Sequence, residues 1–374
     1  MLRIFAVALC LIGIAYGFRP LKSSFRPTDG LRSASRIMQI DMSVSVGIVG
    51  ATGAVGEEIR KVMEDRAFPA SSLTLFASEK SAGKVVKSSR FGDIKMEAFS
   101  FDAASKLDVL LLAVGGDFSL EWAEKLADAG VLVIDNSSAF RMKDDVPLVI
   151  PEINIAAAKG KKLIANPNCT TAIALMALWP IHQKYKIKKA IISTYQAASG
   201  AGAPGMKELE DGMRDIVNGG EAQNKYFAHP LPYNIIPHID VFQDNQYTKE
   251  EMKIVWETRK IMSAPDMKLS CTCVRIPTLR AHSEAITLEL ENSASPDDIR
   301  SCLAGADGVE IVDDPTQSKY PMPINATKKY DVEVGRIRRN DVFDDNGIDI
   351  FVSGDQLLRG AALNAVIIAE KMVA

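Results

Sequence analysis

Hydrophobic and polar positions along the chain follow two rhythms. Residues 44–50, Val-Ser-Val-Gly-Ile-Val-Gly, form a short, apolar, β-branched run that reads as a strand leading into a glycine-rich turn. Within 57–66, Ile59, Val62 and Met63 recur at i, i+3 and i+4, which predicts a helix stopped by Pro69. Residues 73–77 predict the next strand. Residues 107–114 are almost continuously apolar, as a central parallel strand covered on both faces would be. A helix over 119–129 is expected to end at Gly130, before a buried strand over 131–135. Strand and helix alternating in this way predict a doubly wound α/β sheet.

Past about residue 165 the rhythm changes. Ile286, Leu288 and Leu290 share one face of an alternating run, and 331–352 reads as a hairpin-like region around Asn346-Gly347. Both point to an antiparallel or mixed sheet with one wet face. Residues 354–373 are helical and mostly apolar, and are expected to return to the first domain. The division is therefore a nucleotide-binding domain over 43–167, completed by 354–374, and a second α+β domain over 168–353. Two domains also suit 374 residues, because single cores rarely grow past about 250–300.

The chain is 47% hydrophobic and 24% charged, with net charge −3, an average that excludes collagenous, disordered and disulfide-scaffold proteins. The absence of a basic excess argues against nucleic acid as a partner. The charge is unevenly placed. Residues 4–16 carry no charge, too short a run to span a bilayer but suited to a signal-peptide core, with Ala15 and Gly17 as cleavage-site residues. Residues 18–42 hold five basic and two acidic side chains among serines, like a transit peptide. Residues 1–42 thus read as a cleaved presequence, its alternatives being plastid targeting and ordinary secretion. Without them the chain carries 38 basic and 45 acidic residues, a net charge of about −7, and needs no membrane.

Gly50-Ala-Thr-Gly53-Ala-Val-Gly56 joins the first strand to the first helix. Glycines there let backbone N–H groups approach a pyrophosphate whose charge the helix N-terminus stabilises. About twenty residues on, an acidic residue would hold a ribose 2′-OH, whereas small polar and basic residues would accept a 2′-phosphate. Ser78 and Ser81, with Lys80 between them, favour NADP; Glu79 dissents.

Five cysteines, thinly spread, make no disulfide framework, and Cys271-x-Cys273 is too close for the usual zinc spacing, so no metal is expected. Cys169 follows Asn166-Pro-Asn and precedes an uncharged run ended by Pro180. That places it at the N-terminus of a buried helix, where a thiol pKa is expected to fall. Cys271, Cys273 and Cys302 read as packing residues. A cysteine nucleophile wants a histidine to take and return a proton. His182 reads as a surface residue after a helix end, and His229 and His238 lie in a proline-punctuated loop. His282 opens a strand and faces inward; on the residues alone, proton-transfer group and packed core histidine both stay open. Residues 249–260 read as a solvated, charged helix.

Four motifs in order, Gly50-Ala-Thr-Gly-Ala-Val-Gly, Asn166-Pro-Asn-Cys-Thr-Thr, Ser193-Thr-Tyr-Gln-Ala-Ala-Ser-Gly-Ala-Gly and Arg275-Ile-Pro-Thr-Leu-Arg-Ala-His-Ser-Glu, closely resemble the aspartate-β-semialdehyde dehydrogenase family in its bacterial form, also found in plastids. The likeness covers residues 43–374. It implies a Rossmann-type NADP-binding domain and a second, catalytic and dimerisation domain with a mixed sheet, together forming a homodimer. It implies NADPH-dependent reductive dephosphorylation of L-4-aspartyl phosphate to L-aspartate 4-semialdehyde and phosphate, on the way to lysine, threonine and methionine. By this likeness Cys169 is the nucleophile, His282 its acid/base partner, and Gln196 positions the acyl group. Arg275 grips the α-carboxylate, Glu250 faces the amino group, and Arg141, Lys253 and Asn168 hold phosphate. The cofactor lies on Gly50, Thr52, Gly53, Ala54, Val55 and Gly56, with its nicotinamide half near Ser199, Gly200 and Gln356. Arg280 stands where many relatives carry small residues and is expected to alter access to the site.

Two alternatives compete: an N-acetyl-glutamyl-phosphate reductase, which normally has glycine where this chain has Asn168, and a non-catalytic NADP-binding paralogue, whose cheapest mark would be loss of Cys169. A glyceraldehyde-phosphate-type enzyme would carry Ser-Cys-Thr-Thr-Asn at the nucleophile.

Overall fold

The computed structural model describes residues 43–374; the presequence expected over 1–42 lies outside them. The first half runs β1 (Val44–Val49), α1 (Ala54–Asp65), β2 (Ala70–Ala77) and a small hairpin, β3 (Val85–Ser88) with β4 (Gly92–Lys95). It continues through β5 (Glu97–Ala98), α2 (Phe101–Ala104), β6 (Val109–Leu112), α3 (Gly116–Asp128), β7 (Leu132–Asp135), α4 (Pro151–Asn154) and β8 (Leu163–Ala165). Six of these strands form one sheet in the order β5-β2-β1-β6-β7-β8, every neighbour parallel. β6 is shorter than the apolar run 107–114 that predicts it, and α1 and α3 each start three residues earlier than their apolar periodicity suggests. The first three residues of each, Ala54-Val55-Gly56 and Gly116-Asp117-Phe118, hold a single large apolar side chain, too few to show a period.

The second half opens with α5 (Cys169–Tyr185) and β9 (Ile187–Gln196), followed by α6 (Gly202–Val217) and α7 (Lys249–Ile261). Then come β10 (Lys268–Arg275), β11 (His282–Leu290), α8 (Pro296–Leu303), β12 (Val309–Ile311) and α9 (Pro323–Ala326). β13 (Val332–Arg339), β14 (Gly347–Gly354) and α10 (Leu363–Val373) complete it. The second sheet has the order β10-β9-β11-β14-β13-β12, parallel at its two edge pairs and antiparallel within. The architecture is a Rossmann-type domain joined to an α+β domain with a mixed sheet. β13 and β14 do pair antiparallel, but Gly347 begins β14 and the reversal is the longer stretch 340–346. There the Asn340 side chain accepts the N–H groups of Val342 and Phe343, doing the work assigned to a two-residue turn.

α5 packs on the second sheet, against β9, β11, β13 and β14, inside a core shared with the first. One core cluster holds Leu110 and Val133 of the first sheet, Ile192 and Ile350 of the second, and Ala172 to Leu178 of the helix. A helix apolar all round belongs in such an interior. It runs through Pro180 to Tyr185, so the expected stop at Pro180 is not the helix end. Proline inside a helix costs roughly 3 kcal/mol, which burial of several large side chains at about 1.5–3 kcal/mol each outweighs. His182 accordingly sits inside the helix, half-buried, accepting the Ile187 N–H at Nδ1 (3.1 Å). The last segment widens into a π-turn over Leu358–Ala362 before α10, and its apolar side chains pack with Val46, Ile59 and Leu111 against the other face of the parallel sheet.

Candidate active site

The turn after β1 is held by its backbone. Gly50 and Ala51 N–H both donate to Phe76 O (3.0 and 3.1 Å), and Gly53 N–H returns to Gly50 O (3.0 Å). Gly50 has φ +81, and a Cβ there would lie 2.2 Å from Ala113 O, so only glycine fits. Thr52, Gly53, Ala54, Val55 and Gly56 then lead into α1, whose Gly53 N-cap has no capping side chain. That start is left free for an anion. Ser78 and Ser81 lie beyond β2 in the neighbouring loop, where Ser81 N–H closes a turn on Ser78 O (2.8 Å) and Lys84 Nζ reaches Ser81 Oγ (3.4 Å). The protein thus presents a glycine cradle with hydroxyls and a lysine nearby, a set that fits a phosphorylated dinucleotide.

Cys169 is the first residue of α5 and opens onto a cavity of about 300 Å³. The N-cap Asn168 accepts the N–H groups of Thr170 (3.0 Å) and Thr171 (3.1 Å) on its Oδ1. Its own amide donates to Glu250 Oε1 (2.9 Å), and its backbone N–H to Glu257 Oε2 (2.6 Å). Glu250 also receives Gln196 Nε2 (3.2 Å) and Lys253 Nζ (3.0 Å), while Lys253 reaches Asp240 (2.7 Å). Arg141 donates to Glu257 (3.1 Å) and to the carbonyls of Asn166 and Asn136 (both 2.8 Å). Arg275 is buried, with Nη1 on Ala197 O (2.6 Å).

Arg141, Asn168, Cys169, Ser199, Gly200, Glu250, Lys253 and Gln356 all line this cavity, as does Val55 from the nucleotide turn. Gln196, Arg275 and His282 do not line it but touch residues that do, Gln196 through Glu250 and the other two beside Gly200. Gln356 joins Ser199 Oγ through Nε2 and accepts the Ala281 N–H on Oε1 (2.8 Å). Ser78 and Ser81 do not reach this cavity. Arg280 does not line it either. It pairs instead with Asp355 and Glu58.

Burial pushes the Cys169 thiol up to about 11, and the Glu250 charge pushes the same way, against Arg141 and Arg275. This reverses the expected low pKa: enclosure by protein and a nearby carboxylate outweigh the position at a helix start. Burial would raise Glu250 as well, but Lys253, Asn168 and Gln196 together hold it down at about 2. His282 is held down to about 3 by burial and by Arg275. Its Nδ1 accepts the Ala197 N–H (3.0 Å), and its Nε2 is buried without a partner among the described residues. A neutral imidazole that accepts at Nδ1 carries its proton on Nε2. In this arrangement His282 therefore presents a donor at Nε2. A Cβ at Gly200 would lie 3.4 Å from that Nε2, which places it at the cavity wall.

Three contributors escape the motifs. Glu257 is fully buried and orders both Arg141 and Asn168; it lies seven residues after Glu250 on the same face of α7, a spacing that could have found it. Asn136 anchors Arg141 through its carbonyl. Gly360, in the π-turn, lets the chain pass so close that a Cβ there would lie 2.6 Å from Cys169 Cβ. The expectation of a solvated helix over 249–260 is overturned, since Glu250, Glu251 and Glu257 are all buried.

A nucleotide cradle facing a cysteine at a buried helix start, ringed by cations and one ionised carboxylate, defines a two-domain dehydrogenase. Comparison with known proteins agrees in both halves. The semialdehyde dehydrogenase NAD binding domain matches residues 45–161, and the semialdehyde dehydrogenase dimerisation domain matches residues 178–359. Aspartate-semialdehyde dehydrogenase of Synechocystis sp. is 46% identical over 331 residues, covering 88% of this chain and 97% of that protein. The enzyme of Aquifex aeolicus is 46% identical over 337 residues, covering 89% and 98%. A crystal structure of aspartate semialdehyde dehydrogenase II of Vibrio cholerae, complexed with ASA, superposes with TM-score 0.83 at 39% identity, covering 88% and 97%. The chain belongs to the aspartate-semialdehyde dehydrogenase family.

Proposed function

We infer that this protein reduces L-4-aspartyl phosphate to L-aspartate 4-semialdehyde with release of phosphate, in amino-acid biosynthesis, using NADPH. The observation that carries this reading is the Asn168–Cys169 helix start tied to an ionised, buried Glu250. An aspartyl phosphate brings two acidic groups and one ammonium. Arg275 suits the α-carboxylate through its fork, Glu250 suits the ammonium, and Arg141 and Lys253 suit the phosphate. An N-acetylated substrate has no ammonium to bring to Glu250, which favours the free amine over the acetylglutamyl alternative.

Cys169 Sγ attacks the acyl carbon and the C–O bond to phosphate breaks. The proton lost by the thiol leaves on the departing phosphate oxygen, so thiol plus acyl phosphate gives thioester plus hydrogen phosphate with charge conserved. His282 Nε2–H donates to the carbonyl oxygen as charge develops there. Bound on the Gly50–Gly56 turn, with Ser78, Ser81 and Lys80 suited to its 2′-phosphate, NADPH supplies a hydride. Collapse of the thiohemiacetal frees the aldehyde, and the sulfur, with its high pKa, regains a proton from solvent.

The match to a dimerisation domain supports a homodimer through the second sheet. The signal-like and transit-like halves of residues 1–42 support import into a plastid; secretion of a fluorescent fusion of these residues into the medium would defeat that reading. For the reaction itself, residues 43–374 should reduce NADP when given aspartate semialdehyde and phosphate together. Turnover without phosphate, or strong preference for N-acetylglutamate semialdehyde, would overturn the assignment.

A further inference from the structure

Arg280 has no place in the chemistry above, yet few side chains in the molecule join so many parts of it. Its Nε donates to Asp355 Oδ2 (2.6 Å) and its Nη1 to Glu58 Oε1 (3.0 Å), so one guanidinium bridges α1, the helix that starts at the nucleotide turn, to the chain after β14. Asp355 is fully buried and also accepts the N–H groups of Lys328 (2.6 Å), Leu357 (3.0 Å) and Leu358 (3.2 Å). It thereby caps the π-turn whose Gly360 presses on Cys169. The residue after it, Gln356, takes the N–H of Ala281.

Ala281 itself has φ +67, a left-handed conformation that strains an alanine, immediately before His282. Such a conformation persists only when its surroundings over-determine it. Here Arg280 is fixed on one side by two carboxylates, and His282 on the other by β11 and the Ala197 N–H. We propose that Arg280 is a positioning residue that locks the nucleotide-binding helix to the strained turn before His282 and to the π-turn behind Cys169. Through it, the helix that receives the cofactor and the two reacting side chains form one mechanical unit.

This inference rests on the reaction proposed above, so its test includes a readout independent of turnover. Arg280→Ala should lower kcat by about tenfold or more, the scale expected when reacting groups are slightly misplaced, while KM for aspartate semialdehyde stays within about threefold. Arg280 reaches Asp355 and Glu58 from two separate nitrogens, and a lysine, with a single nitrogen, keeps the buried Asp355 contact only at the expense of Glu58. Arg280→Lys and Glu58→Ala should therefore give similar intermediate losses, and the double variant no further loss, because both remove the same contact. The rate at which iodoacetamide labels Cys169, resolved by peptide, should shift in the same order. That rate reads the geometry even if the wild-type protein does not turn over these substrates, in which case the reaction assignment fails separately. Should Arg280→Ala fail to fold, Glu58→Ala, which leaves the buried Arg280–Asp355 pair in place, carries the test. The proposal is overturned if Arg280→Ala lowers only Tm, with kcat and labelling within twofold of wild type. It is equally overturned if Glu58→Ala and Arg280→Lys act additively.

Discussion

With a pKa of about 11, Cys169 is a thiol in the free enzyme, which makes its alkylation by iodoacetamide a direct probe. At pH 7 only ~1 in 10⁴ such thiols is ionised, against ~3% for an ordinary cysteine at about 8.5. A more basic thiolate is the better nucleophile, with a Brønsted slope of about 0.4–0.5, which recovers roughly tenfold of that deficit. The net expectation is labelling ~30-fold slower than an unperturbed thiol of equal access. Access varies between sites, so the shape of the pH profile is the stronger observable. Labelling of the Cys169 peptide, followed by mass spectrometry from pH 6.5 to 9.5 without cofactor, should rise about tenfold per pH unit with no plateau. Glu250→Gln removes the charge that adds to the effect of burial, and should raise the rate at pH 7.5. A plateau between pH 6 and 8 would show a stable thiolate at rest and refute both the proton assignment and the route by which phosphate carries the proton away.

Other consequences follow from the same groups. Glutamine can donate an amide N–H where His282 donates Nε2–H, so His282→Gln should retain turnover that His282→Ala loses, the latter by about 10²–10³-fold; equal inactivity would mean that proton transfer, not donation, is required. Burial raises the Glu284 carboxyl well above its ordinary value, and neither of its oxygens has a partner among the described residues. Below about pH 4 folded and unfolded chains both hold this proton, but above it the unfolded chain releases it, so native stability falls as pH rises by up to ~1.4 kcal/mol per unit. Glu284→Gln should therefore stabilise the protein more at pH 7.5 than at pH 4.5 in urea denaturation, and an equal shift at both would dismiss this account.

Local chemistry made part of this legible from sequence. The nucleotide turn is written in its glycines, because Gly50 occupies a conformation and a space that admit nothing larger. Cys169 is marked by the turn before it and the uncharged run after it. α7 was misread because periodicity alone cannot tell a charged face bathed in water from one turned inward and neutralised by partners. Those partners, Arg141 and Asn168, lie about a hundred residues away along the chain. The thiol pKa escaped for the same reason: the position at a helix start is local, whereas burial and Glu250 arrive only with the tertiary fold. The partners of Arg280 were not legible because its two carboxylates, Glu58 and Asp355, come from distant segments on either side of it along the chain.

The docking of the π-turn and α10 on the parallel sheet also sets an order of events during synthesis. Every strand of that sheet has left the ribosome by Ala165, yet the side chains that cover one of its faces begin at Leu358. At about 5–20 residues per second, the intervening stretch of about 190 residues takes roughly 10–40 s to make. Through that interval Val46, Ile59 and Leu111 lack their final cover, and the nucleotide-binding half waits, unfinished, for the last segment of its own chain.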